Sequence, residues 1–120
     1  MAGTVTATEL TRSSVKKLTF AWTSSAGGAA DGTSTSAFDG KIIGFTTIPD
    51  GVAAPTDNYD VVLNDADGHD VLLGAGLNRD TANTEHVTEG SLAGVANSKL
   101  TLGVTNAGNA KSGTVIVYVR

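Results

Sequence analysis

Residues 39–74 read DGKIIGFTTIPDGVAAPTDNYDVVLNDADGHDVLLG, and this stretch decides the fold class. Lys41–Ile48 is apolar on both faces and ends at Pro49, which cannot donate a backbone hydrogen bond within a sheet. Tyr59–Asn64 alternates apolar and polar side chains, and the turn sequence DADG after it predicts that His69–Leu73 returns as its hairpin partner. The stretch therefore predicts β structure, and it contains no group of side chains arranged for chemistry.

Alternation with a period of two also marks strands near both ends of the chain. Val15–Thr23 alternates as a half-buried strand requires, and we expect Trp22 on its apolar face to anchor the core. Thr114–Arg120 is apolar on both faces, which predicts a central strand. Further strands are predicted at Thr33–Phe38, as a polar edge strand, and at Thr84–Thr88, Leu92–Val95 and Lys99–Thr105.

These short strands are separated by loops of small and turn-forming residues, and no segment carries a helical apolar stripe. The pattern predicts an all-β fold with little or no helix, as a β-sandwich of jelly-roll type or, alternatively, a small barrel. We expect residues 1–120 to form one domain. Residues 1–14 are either a first edge strand or an N-terminal arm that lies on a neighbouring molecule.

Composition excludes several classes of function. The formal net charge of −4 repels phosphate backbones, so we expect no nucleic-acid partner. The chain has no cysteine, which excludes disulfides, thiolate nucleophiles and cysteine-ligated metals. It shows neither a signal peptide nor an apolar run of membrane-spanning length, so we expect a soluble protein made in the cytoplasm, with no membrane partner.

The sequence resembles known chemical motifs at two places, and both fail in detail. Residues 65–70, DADGHD, resemble a calcium loop, but glycine falls at the fourth position and histidine at the fifth. Residues 74–79, GAGLNR, lack the third glycine of a dinucleotide fingerprint. The two histidines, His69 and His86, have no recognisable metal-ligand spacing. We therefore expect no catalytic residue, no metal site and no cofactor.

Residues 78–85, NRDTANTE, are dense in hydrogen-bond donors and acceptors and permit two interpretations. In the first, the segment is a solvated loop whose Asn and Asp side chains satisfy its own backbone. In the second, it is a contact loop in which Arg79 pairs with a carboxylate of a neighbouring subunit. The residues we select as candidate interface contacts are Glu9, Arg12, Arg79 and Asp80.

Several sequence blocks together carry a family resemblance that runs from Gly40 to Arg120. They are Ala54–Val61 (APTDNYDV), Asp65–Leu72 (DADGHDVL), Asn78–Thr81 (NRDT), Asn106–Gly108 (NAG) and Lys111–Val115 (KSGTV). With these blocks the chain resembles small structural proteins encoded in the virion-assembly regions of tailed phages. The blocks are patterns of turns and strands, and no catalytic residue carries over.

The resemblance implies a capsid cement or decoration protein, which is not an enzyme. Such a protein would bind the major capsid protein on the capsid exterior of the virion as a homo-oligomer, dimer or trimer, and would stabilise the shell by bridging capsid subunits. One alternative is a structural component of the phage tail, neck or adhesion apparatus. Another is a carbohydrate-binding module, although one Trp and two Tyr give it little support.

Overall fold

A computed structural model of the chain describes residues 3–88, 90 and 92–120. The strands in this part of the chain are β1 (Thr4–Arg12), β2 (Val15–Thr23), β3 (Ala30–Thr33), β4 (Phe38–Pro49), β5 (Asp60–Asn64), β6 (Glu85–Thr88), β7 (Gly94–Ser98), β8 (Thr101–Thr105) and β9 (Ser112–Val119). No helix within the described ranges is long and apolar enough to cross a membrane.

The strands form two antiparallel sheets. The main sheet has the order β1-β2-β9-β4-β6, and β7 pairs with the first part of β4. The small sheet has the order β3-β8-β5. The predicted all-β sandwich is therefore confirmed, and the prediction of a central C-terminal strand is confirmed as well, because β9 pairs with both β2 and β4.

The core lies between the two sheets and follows from the period of two in the strands. On β9 the alternate residues Val115, Val117 and Val119 are fully buried. Trp22 on β2 is only 2% exposed, as expected of a core anchor, and its indole lies 5.6 Å from the Tyr59 ring. The facing sheet contributes buried apolar residues from each strand, namely Ala30, Val61, Leu63, Leu102 and Val104.

The predicted edge strand at Thr33–Phe38 is wrong, because β3 ends at Thr33 and β4 begins at Phe38. Between them, side chains take the hydrogen bonds that a sheet would have used. The Glu9 carboxylate accepts the N–H groups of Thr35 and Ser36, at 2.7 and 3.2 Å. A polar segment satisfied in this way has no need of a neighbouring strand.

The predicted return strand at His69–Leu73 is also wrong. After the turn, the chain makes a single bridge between Asn64 and Asp70 and then curls through successive turns. The cause is the Asp70 carboxylate, whose Oδ1 accepts the N–H groups of Leu63 and Leu72, both at 3.1 Å. Local side-chain bonds of this kind compete directly with a sheet ladder.

Gly113 offers a test of the packing between β9 and the indole of Trp22. A Cβ at this position would meet Trp22 Cζ2 at 2.6 Å and the backbone oxygen of Ile48 at 3.1 Å. We expect Gly113→Ala to lower the free energy of unfolding by about 1–3 kcal/mol, because neither neighbour can move freely. Urea denaturation measures this change.

The matched control is Gly51→Ala, because no atom lies within 4 Å of the Cβ that it would add. We expect this control to change stability by less than about 0.5 kcal/mol. Equal effects at the two positions would mean that the indole does not lie against Gly113.

Candidate functional site

Three loop segments meet at the end of the sandwich where β4 finishes and β9 starts. Thr56 N–H donates to the Ala107 carbonyl at 2.9 Å, and Asn58 N–H donates to the Arg79 carbonyl at 3.0 Å. In return, Arg79 N–H donates to the Tyr59 carbonyl at 2.7 Å. We call this region the loop surface, and it comprises residues 50–59, 78–84 and 106–111.

Asp60, the first residue of β5, ties two of these segments together. Its Oδ1 accepts the N–H of Asn78 at 3.0 Å, and its Oδ2 accepts the side-chain amide of Asn106 at 2.7 Å. Hydrogen bonds to a charged acceptor are stronger than neutral ones. A single carboxylate therefore fixes the positions of two loops that are distant in sequence.

The turn at residues 50–53 presents an apolar side chain at the edge of the loop surface. The Asp50 Oδ2 accepts the N–H groups of Ala53 and Val52, at 2.7 and 3.0 Å, and these bonds lower the pKa of Asp50. Ser112 closes the turn through backbone hydrogen bonds to Asp50 and Ala53. Val52 projects from this rigid turn with 98% of its surface exposed.

Arg79 and Asp80, two of the predicted contact residues, lie within the loop surface and serve its own structure. The Arg79 guanidinium pairs with the Glu85 carboxylate at 3.6 Å, and its side chain is only 17% exposed. The Asp80 Oδ2 accepts the N–H groups of Ala82 and Asn83. The carboxylate that pairs with Arg79 thus belongs to the same chain, and the loop satisfies its own backbone.

Glu9 and Arg12, the other two predicted contact residues, lie elsewhere. Both are on β1, toward the end that pairs with the start of β2, whereas Thr4 at the other end pairs with Thr23 near the loop surface. Glu9 points its carboxylate at the loop between β3 and β4, while Arg12 is exposed. The candidate contact residues therefore do not form one surface.

The two histidines lie apart from each other, and each is exposed. His69 is exposed in the turn after β5. His86 is exposed on β6, with its Nδ1 at 2.7 Å from the Thr46 hydroxyl and its ring beside Tyr118. Within residues 3–88, 90 and 92–120, no three His, Asp or Glu side chains are grouped so as to hold a metal ion.

A shallow cleft of about 530 Å³ lies beside the loop surface, on the outer face of the main sheet. Five of its twelve lining residues carry a hydroxyl group, and the Thr23 and Ser112 hydroxyls hydrogen-bond to each other at 3.0 Å. Ile48 and Asp50 also contribute to it. Trp22 also lines this cleft, but its side chain is only 2% exposed.

Sequence reasoning did not identify the loop surface as a unit, although one signal was present. Asn58, Asn78 and Asn106 all adopt a left-handed backbone, with φ of 66°, 57° and 60°. Asparagine tolerates this conformation better than most residues other than glycine. Each of these three asparagines falls within the loop surface.

Comparisons with known proteins leave the family open. No protein-family model and no curated protein matches the chain. Among solved structures, it is similar to a xylan-binding module, CBM86, from Roseburia intestinalis, at 11% identity and a TM-score of 0.40, with 97% of this chain and 84% of that chain covered. It is also similar to a carbohydrate-binding module of the β-sandwich superfamily, at 14% identity and a TM-score of 0.35.

The second likeness covers 100% of this chain but only 55% of that chain, so this chain spans little more than half of that protein. Similarities of this size carry no argument about function. The sandwich architecture rests on the two hydrogen-bonded sheets themselves.

Glu9 provides a pH-dependent test of the contact between β1 and the loop that follows β3. Burial opposes its ionisation, but hydrogen bonds from Ser36 and Thr35 outweigh burial and lower the pKa of Glu9 below the ordinary value of 4.5. A lowered pKa in the folded state stabilises the protein fully above the unfolded value, and this contribution is lost as the pH falls through the folded value.

We therefore expect Glu9→Gln to be less stable than the unmodified chain at neutral pH, because a neutral amide accepts these N–H groups more weakly. The difference should shrink as the pH falls below 4.5. Urea unfolding at a series of pH values measures it. A difference that stays constant down to about pH 3 would show that the Glu9 charge does not hold this loop.

Proposed function

We propose that this chain is a non-enzymatic capsid cement protein of a tailed phage, and that it binds the major capsid protein on the outside of the shell through the loop surface. In this role it adds buried contacts across the boundaries between capsid subunits. Repetition over a capsid lattice multiplies contacts that are individually modest. The function then requires a stable surface of fixed shape rather than a reactive site.

One observation carries the proposal. Three of the sequence blocks that resemble virion structural proteins, which are far apart in the chain, meet in the loop surface. Thr56 in the first block contacts Ala107 in the block after β8, and Asn58 contacts Arg79 in the block before β6. The Thr81 hydroxyl also donates to the Pro55 carbonyl, which links the first block to the block before β6 a second time.

The physical properties of the loop surface suit a binding role. Carboxylates and backbone bonds hold its turns in one arrangement, so little conformational entropy is lost when a partner binds. Val52 supplies an apolar side chain whose surface is almost wholly available for burial. Burial of exposed apolar side chains is a common component of protein interfaces.

The alternative roles predict a different copy number per particle or a different kind of binding surface. A tail, neck or adhesion component would use the same surface but would be present in few copies at one position on the particle. A carbohydrate-binding module would use an aromatic platform, because sugar rings stack on exposed aromatic side chains. The cleft beside the loop surface has several hydroxyls, and its one aromatic lining residue, Trp22, is only 2% exposed.

The copy number per virion tests the proposed role. Quantitative mass spectrometry of purified particles should give a number of copies of the same order as the major capsid protein, and cryo-electron microscopy should show density for the chain over the whole shell. A few copies at one vertex would favour the tail or neck alternative. Absence of the chain from purified particles would refute a virion role.

A pair of charge-matched variants tests the loop surface on particles assembled without the chain. Val52→Asp should reduce re-binding of the purified protein at least about tenfold, because a charge replaces an apolar anchor. Leu73→Asp is the control, since Leu73 is also exposed, at 54%, but lies in the turns after Asp70. Equal re-binding of both variants would place the contact elsewhere.

A further inference from the structure

Strand β1 leaves one long edge of the main sheet open. Thr4–Arg12 pairs with β2 along its whole length. Among the described residues, no backbone group of this strand hydrogen-bonds to any other segment. The opposite edge of β1 therefore presents unpaired N–H and C=O groups over a strand of nine residues.

The other sheet edges are covered or short. The free edge of β5 is filled by the loop after it, since Val61 N–H donates to the Gly76 carbonyl and Val71 N–H donates to the Leu63 carbonyl, both at 2.8 Å. Strands β6 and β7 divide the far edge of the main sheet into pieces of four and five residues. Strand β3 has four residues and packs beneath β1, where Gly32 meets the side chain of Val5.

Strand β1 has few of the features that normally protect an open edge. Proteins commonly block such edges with charged side chains, above all lysine, with inward-pointing charges, with proline or with a bulge. This strand, TVTATELTR, has no lysine or proline, and it pairs with β2 without a register shift. Its one acidic side chain, Glu9, is turned inward by hydrogen bonds to the loop after β3. The β-branched residues that dominate the strand favour extended pairing.

We propose that this edge pairs with the same edge of a second copy of the chain, antiparallel and about a two-fold axis at Thr8. In that register Thr8 faces its own counterpart, Thr6 faces Leu10, and Ala7 faces Glu9. All nine residues of each strand then find a partner, and Arg12 faces Thr4, so no like charges are opposed. The axis stands perpendicular to the sheet and keeps the outer face of one copy continuous with that of the other.

The chain itself shows that hydroxyl pairs of this kind form across its strands. Thr33 and Thr101, directly opposite in the small sheet, place their hydroxyls 2.9 Å apart. The same geometry is available to the two Thr8 side chains at the axis. A dimer built in this way joins two six-stranded main sheets into one. Both copies contribute the same edge, so the contact is isologous.

This inference rests on the proposed function, because it supplies the homo-oligomer which that function uses, but its test needs only the isolated chain. Light scattering or native mass spectrometry at about 100 µM should give twice the monomer mass. The monomer mass is 12.1 kDa. Thr8→Lys opposes two lysines at the axis and should weaken the dimer at least about tenfold.

Two further variants test whether the dimer forms through this edge of the sheet. Thr88→Lys places the same charge on the opposite edge of the main sheet, and it should remain a dimer. Thr8→Glu alone should be weakened, but an equimolar mixture with Thr8→Lys should form a heterodimer, because unlike charges then meet at the axis. Circular dichroism confirms that each variant is folded.

A monomeric unmodified chain at this concentration would refute the proposal, and so would a trimer. A dimer that Thr8→Lys leaves intact, or a mixture of the two Thr8 variants that remains monomeric, would also refute it. None of these outcomes bears on whether the chain occurs in the virion, so the two proposals fail separately.

Discussion

The structure depends on strand β9, which hydrogen-bonds to β2 along one edge and to β4 along the other. Its alternate valines are fully buried beneath the small sheet, so both the hydrogen bonding and the packing of the main sheet pass through it. Because β2 lies near the start of the chain and β9 at its end, the sheet closes only through long-range pairing. The pairing of β9 with β2 and β4 also fixes the end of the loop that precedes β9.

The acidic residues of the chain are chiefly devices for holding loops. The structure describes 11 of the 12 Asp and Glu residues in the sequence, and nine of these 11 accept at least one backbone N–H. They are Glu9, Asp39, Asp50, Asp57, Asp60, Asp65, Asp70, Asp80 and Glu85. In these loops a carboxylate accepts a backbone N–H that has no carbonyl partner in a helix or sheet. The acidic side chains therefore keep the turns fixed although the chain has little helix.

The sequence predicted the elements in which burial sets the pattern. The alternation of Val15–Thr23 gave β2 at the bounds that the structure has, and the apolar run at the C-terminus gave the central strand. The strand predictions failed where a side-chain carboxylate accepts a backbone N–H that a neighbouring strand would otherwise have bound. Glu9 does this at Thr35, and Asp70 does it at Leu63. The loop surface was missed because its contacts join residues some 20 to 50 positions apart, and local patterns carry no information about such pairs.

The central claim is that the loop surface is preformed, and backbone hydrogen exchange of the isolated chain tests it most directly. The amides of Val52, Asn78 and Ala82 each donate to a carboxylate, whereas those of Ala26 and Gly27, which lie outside the loop surface, donate to no described residue. We predict exchange at least about tenfold slower in the first group. Equally fast exchange in both groups, near the rate of an unfolded chain, would contradict the account.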